Sequence, residues 1–202
     1  GGVERYGISD WVSFLTNTES YRRDNRRAEY GDERDPAMRE VFERISPLAS
    51  VSKITKPMLV MQGANDPRVK KAESDQIVVA LRDLGRKVEY MVAPDEGHGF
   101  AGKENRLAAY AVMERFFHKH MGGRYQESVS PDLQKRVDAL TVDVATVTMP
   151  VRAAEPAAAP AVFAGALLKP GTATYASTMS TRGQSIKVTT TRTILAANVN
   201  GA

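Results

Sequence analysis

The chain has 202 residues, no cysteine, and 28 basic against 24 acidic side chains, for a formal charge of +4. That length suits one domain, or part of one with an appendage. The lack of cysteine excludes disulfides, thiolate nucleophiles and cysteine-held metals. The two signs of charge are interspersed, with no unbalanced basic stripe of the kind nucleic-acid binding needs. No apolar run approaches the roughly 18 residues of a membrane span.

The first residue is Gly1 and the pattern opens in mid-course, so the chain is expected to be a segment of a longer protein. Its compartment, cytoplasmic or periplasmic, and its oligomeric state are not written in these residues. Residues 1–50 read as helical and irregular. Asp35-Pro36 is a good helix start, a capping carboxylate followed by proline at the first helical position. That helix is expected to run through Met38, Val41, Phe42 and Ile45 and to end at Ser46-Pro47.

Met58-Leu59-Val60-Met61 is a short apolar run bounded by Pro57 and Gly63, which predicts a fully buried strand. Residues 71–84 predict a helix with Ile77, Leu81 and Leu84 on its apolar face and Gly85 as its stop. Val88 to Val92 predicts the next strand, and Asp95 to Phe100 the loop after it. A helix over about 103–121 follows, with Ala109, Val112, Met113, Phe116 and Phe117 as its apolar face and Gly122-Gly123 closing it. Strand, helix, strand, helix with short connections predicts an α/β fold, a parallel sheet with flanking helices. In such sheets functional loops follow the carboxyl ends of the strands.

After about residue 124 the character changes. Ser130-Pro131 begins a short amphipathic helix (Leu133, Val137, Leu140), followed by a valine- and threonine-rich stretch to Met149. Residues 151–165 read as an alanine- and proline-rich linker. From about 166 the chain reads as the start of a β-rich module, with alternating Thr172, Thr174, Tyr175 and Ile186, Val188, Thr190, and a turn at Thr181-Arg182-Gly183-Gln184. The expected division is thus 1–124, 125–150, 151–165 and 166–202.

Two of the loops carry the chemistry. Gly63-Ala64-Asn65-Asp66-Pro67-Arg68-Val69 and Glu96-Gly97-His98-Gly99-Phe100 each place an acidic or imidazole side chain on a glycine-bounded loop just after a predicted strand. A hydrolytic histidine needs access for proton movement, and a carboxylate to fix its tautomer and steady the imidazolium. An isolated Gly-His-Gly is more often a solvated loop, but the aspartate loop upstream reverses that balance. Asp95 and Glu96 are nearer in sequence and compete with Asp66 as the orienting group. Arg68 is either a surface arginine or a donor to a substrate carbonyl. His118 and His120 are two apart on a helix and share no face, which argues against a metal site. The arginine-rich stretch from Tyr21 to Tyr30 fits a solvated helix laced with ion pairs better than an anion site. Trp11 and Phe14 read first as core residues. No serine lies in Gly-x-Ser-x-Gly.

Five segments in order carry a family resemblance: Gly7-Ile8-Ser9-Asp10-Trp11, Glu29-Tyr30-Gly31-Asp32, Ile45-Ser46-Pro47-Leu48, Gln62 to Val69, and Asp95 to Phe100. Residues 7 to about 120 resemble the C-terminal part of the catalytic domain of the prolyl oligopeptidase family of serine peptidases, which includes dipeptidyl aminopeptidases and acylaminoacyl peptidases. The resemblance implies a partial α/β-hydrolase fold with Asp66 as the triad carboxylate, His98 as general base and Arg68 as a substrate-backbone contact. It also implies a peptide substrate and neither metal nor organic cofactor. The family's nucleophile elbow and β-propeller are expected upstream of Gly1, so this segment by itself is expected to be inactive. Lys70 stands where many members have proline. The tail resembles the opening of a β-rich module appended to some bacterial members. Two alternatives stay open: an α/β hydrolase acting on esters or thioesters, and a non-catalytic packing or interaction segment.

Overall fold

The computed structural model describes residues 1–151 and the backbone of residues 171–181 and 184–194. Four strands form one sheet in the order β1-β2-β3-β4. The second and third were foreseen: β2 (Met58–Gly63) and β3 (Val88–Ala93) pair in parallel, Met61 opposite Met91. The first was not. Instead of beginning irregularly, the chain opens with β1 (Gly2–Arg5), parallel to β2 with Val3 opposite Leu59. Four residues with one branched aliphatic side chain carry almost no strand signal; pairing with β2 makes them a strand.

Helices pack on both faces of the sheet. Helix α1 (Trp11–Asn17) is capped by Asp10, whose carboxylate accepts from the Val12 amide at 2.8 Å. Helix α2 (Ser20–Tyr30) is followed by α3 (Pro36–Ile45), which Asp35 caps through the Ala37 amide at 2.9 Å. A 3-10 segment (Pro47–Lys53) leads to β2. Helix α4 (Lys71–Asp83) buries Ile77, Val78, Val79 and Leu81 against Val60 and Tyr90. Leu84 does not join that face: it lies past the last helical residue and is substantially exposed, and Gly85 at φ +67° turns the chain away.

Helix α5 (Lys103–Met121) covers the other face, burying Ala108, Ala109, Ala111 and Phe116 against Leu59, Met61 and Met91. Small side chains let this helix approach the sheet closely. Phe117, expected on the apolar face, is exposed and meets the core through an edge contact with the buried Phe116 ring. Helix α6 (Pro131–Leu140) adds Val137 and Leu140 to the same core. The two-residue strand β4 (Thr141–Val142) then pairs antiparallel with β3, which makes the sheet mixed. Only Thr141 and Val142 of the valine- and threonine-rich stretch are strand; a 3-10 turn (Val144–Thr146) follows.

In the tail, β5 (Gly171–Thr181) and β6 (Gln184–Ile194) pair antiparallel from Gly171 opposite Ile194 to Thr181 opposite Gln184. Arg182-Gly183 of the expected turn and nearly all of the expected linker lie outside the described residues.

Candidate active site

The carboxyl ends of β2 and β3 release two loops that interlock before either leaves the sheet. The Ala64 amide donates to the Ala93 carbonyl and the Asn65 amide to the Glu96 carbonyl, both at 2.9 Å. The Asn65 side-chain amide reaches the Pro94 carbonyl at 2.6 Å. Gly63 permits this approach: a Cβ there would overlap the Gly97 carbonyl oxygen and lie 2.7 Å from that of Glu96. Its role is close backbone approach rather than a left-handed φ.

The interlock brings Asp66 to His98. Asp66 Oδ2 lies 2.7 Å from His98 Nδ1, and Asp66 is 1% exposed. Its other oxygen accepts from the amides of Arg68 at 2.8 Å and Val69 at 3.0 Å, a loop-internal clamp that aims Oδ2 at the ring. An ionised carboxylate only accepts, so an ionised Asp66 would select the tautomer with the proton on Nδ1 and leave Nε2, on the far side of the ring, as the acceptor. The His98 side chain is 32% exposed, enough for Nε2 to be reached. The histidine sits at the apex of a tight turn closed by the Gly99 amide on the Gly97 carbonyl at 2.9 Å, with Gly99 at φ +123°.

Buried Gln62, for which sequence reasoning found no role beyond its motif, braces the aspartate loop. Its Nε2 donates to the Gly63 and Val69 carbonyls at 3.0 Å and approaches Asp66 Oδ2 at 3.4 Å; its Oε1 accepts from Ser74 at 3.0 Å. A glutamine closing an apolar strand was the available signal, since a buried amide must find partners. Tyr6 was also missed. It is the one described non-glycine residue at positive φ (+61°), and its ring centroid stands 5.4 Å from that of His98.

The two competing carboxylates are engaged elsewhere. Asp95 pairs with Arg136 at 2.8 Å. Glu96 accepts from the Ala101 and Gly102 amides at 2.9 and 2.8 Å and from Asn105, binding the approach to α5. Burial pushes the Glu96 carboxyl up, but those hydrogen bonds outweigh it and hold it below its ordinary range. The segment Gly7 to Trp11 proves to be an anchor. Glu73 on α4, nearly fully buried, accepts from the Ser9 and Asp10 amides at 3.1 and 2.9 Å, and Ser9 Oγ donates to its carbonyl. Desolvation there pushes the Glu73 carboxyl up.

A cavity of about 390 Å³ opens beside His98, lined also by Tyr6, Phe14, Val69 and Arg68. Arg68 is exposed, and its carbonyl is held by the Thr18 hydroxyl at 2.9 Å. Phe14, read first as core, is both core and cavity wall. No serine lines this cavity among the described residues. A larger depression of about 480 Å³ between α5 and α6 holds no histidine. His118 bonds the Gly123 carbonyl at 2.6 Å while His120 packs on Phe116, so the two rings serve different neighbours. No group of metal-ligating side chains occurs among the described residues, nor any helix long and apolar enough to cross a membrane.

Comparison with known proteins gives a consistent picture. The model of the prolyl oligopeptidase family matches residues 1–124. Dipeptidyl aminopeptidase BIII of Pseudoxanthomonas mexicana is 51% identical over 94 residues, 46% of this chain and 14% of that protein. Dipeptidyl peptidase family member 6 of Caenorhabditis elegans is 37% identical over 129 residues, 62% of this chain and 17% of that one. The chain therefore spans less than a fifth of either relative. Pyrococcus horikoshii acylaminoacyl peptidase superposes with a TM-score of 0.55 at 22% identity, over 65% of this chain and 22% of that chain. At that identity the likeness establishes the fold, part of an α/β hydrolase.

Proposed function

The chain belongs to the prolyl oligopeptidase family, and from that membership we propose that it is part of a serine peptidase cleaving short peptides through an acyl-enzyme. In this reading His98 is the general base and Asp66 its orienting carboxylate. The observation that carries it is the 2.7 Å contact between Asp66 and His98 Nδ1 at the carboxyl ends of neighbouring parallel strands.

The steps follow from the tautomer. A serine from outside these 202 residues attacks the scissile carbonyl carbon, and its hydroxyl proton passes to His98 Nε2. Buried Asp66 stabilises the imidazolium, and backbone donors hold the oxyanion. Collapse breaks the C–N bond, and His98 gives its proton to the departing amine. Water then attacks the acyl ester, His98 takes its proton, and the serine recovers it as the acid leaves. Arg68 donates to a carbonyl of the substrate backbone; its place on the cavity wall beside His98 and its pinned main chain support that role.

The test is His98→Ala in the full-length enzyme. Turnover of peptide amides should fall by about 10³-fold or more, and retention of near-parental turnover refutes the assignment. Asp66→Asn should lower kcat by about 10⁴-fold by favouring the wrong tautomer. Relative rates on an ester and a matched amide separate a peptidase from an esterase.

A further inference from the structure

Helix α2 carries Arg22, Arg26 and Tyr30 at successive intervals of four, so all three occupy one helical face. That face lines the cavity beside His98, together with Arg68 from the aspartate loop. The other arginines of α2 are used elsewhere: Arg27 pairs with buried Glu33, and Arg23 donates to the Thr18 carbonyl at 3.1 Å. Arg26 is held by Glu29, its ring neighbour Tyr30 standing 5.8 Å away. Glu29 itself does not line the cavity. Arg22 lies over the Tyr21 ring at 6.0 Å, and neither it nor Arg68 has a carboxylate partner among the described residues. No carboxylate lines the cavity among the described residues, and Ile8, Phe14 and Val69 give it an apolar floor.

Arg26 has Glu29 as its partner, so Arg22 and Arg68 are the two arginines of this cavity wall without a carboxylate among the described residues, and an anion in the cavity would offset their repulsion. Guanidinium forks suit a carboxylate, and the apolar floor suits a short aliphatic stem. We infer that this cavity is a carboxylate-accepting specificity pocket, in which Arg22 and Arg26 with Arg68 select peptides bearing a negative charge next to the cleaved bond. The inference rests on the serine-peptidase reading and adds a substrate class to it. The carboxylate could belong to an acidic side chain or to the free C-terminus of a very short peptide.

The experiment measures kcat/KM of the full-length enzyme on peptide anilides with Glu, Gln or Lys before the scissile bond, at low and high salt. A parallel arm compares a neutral short peptide with a free C-terminus against its amide. The expected result is a preference of about tenfold for the carboxylate in one arm, set by one charge-assisted contact, and the arm that shows it identifies the source. The preference should shrink at high salt. Arg22→Gln with Arg26→Gln should bring the ratio towards one, and Arg22→Glu should shift selection towards Lys. If peptides are cleaved in a His98-dependent way and the unaltered enzyme shows no carboxylate preference in either arm, the inference is overturned while the peptidase reading stands. If no peptide is cleaved, both fall.

Discussion

Gly63→Ala tests the contact that assembles the site. The added methyl would overlap the Gly97 carbonyl oxygen and stand 2.7 and 2.9 Å from the Glu96 carbonyl oxygen and carbon. These are backbone atoms, so no side-chain rotation can clear them. The loops must part, at an overpacking cost of about 1–3 kcal/mol. Parting also strains the Asn65 amide bond to Glu96 at 2.9 Å, worth about 1 kcal/mol. The total of about 2–4 kcal/mol should lower the temperature of half-inactivation by several degrees. The same movement withdraws His98 from Asp66, and misplacement near 1 Å costs about 10²-fold in rate. The assay is kcat on a peptide amide with thermal inactivation of the full-length enzyme. Gly85→Ala is the comparison: Gly85 has φ +67°, and a Cβ added there would meet nothing within 4 Å. Backbone strain alone, about 1 kcal/mol, should therefore lower stability without touching turnover. A Gly63→Ala enzyme as active and stable as its parent would refute the reasoning.

Three further outcomes follow from the same structure. Gln62→Leu leaves the Val69 carbonyl and the Ser74 hydroxyl without their partner; it should cost about 2–3 kcal/mol and reduce kcat, read by denaturation and steady-state kinetics. Glu4 accepts from the Gly7 amide, and desolvation outweighs that bond, raising its carboxyl from 4.5 to about 7. A raised carboxyl favours the fold while protonated, so this contribution is full below about pH 4.5 and is lost as pH rises through about 7. Glu4→Gln keeps an acceptor and cannot ionise, so the variant should gain stability over the parent at pH 8, by about 1–3 kcal/mol, and lose the pH slope; an unchanged slope counts against the assignment. Glu96 has the opposite sign: its depressed carboxyl stabilises above the ordinary carboxylate range and stops doing so as pH falls through its folded value. Glu96→Gln should therefore flatten the acid limb of the stability curve while lowering the plateau at neutral pH.

Much of the fold is written locally. Proline after a capping aspartate at 35–36 starts α3, an apolar run between Pro57 and Gly63 becomes β2, and Gly122 at φ +76° ends α5. Each signal concerns neighbours along the chain, where propensity and hydrogen-bond satisfaction act over a few residues. The Asp66–His98 pair was legible for the same reason, since both motifs follow recognisable strands and adjacent parallel strands deliver their loops to one rim. Strand β1 was not legible, because Gly2–Arg5 becomes extended through bonds to residues more than fifty positions away. Nor could spacing show that Gln62 braces Asp66, that Glu73 anchors Ser9, or that Arg22 and Arg26 line the same cavity as His98. A polar side chain's role depends on which distant backbone groups burial leaves it to satisfy. A helix's inward face depends on the aromatic contacts that dock it, here Tyr30 against Trp11 at 5.1 Å. Those are properties of long-range packing, and they come into being only when the chain has closed on itself.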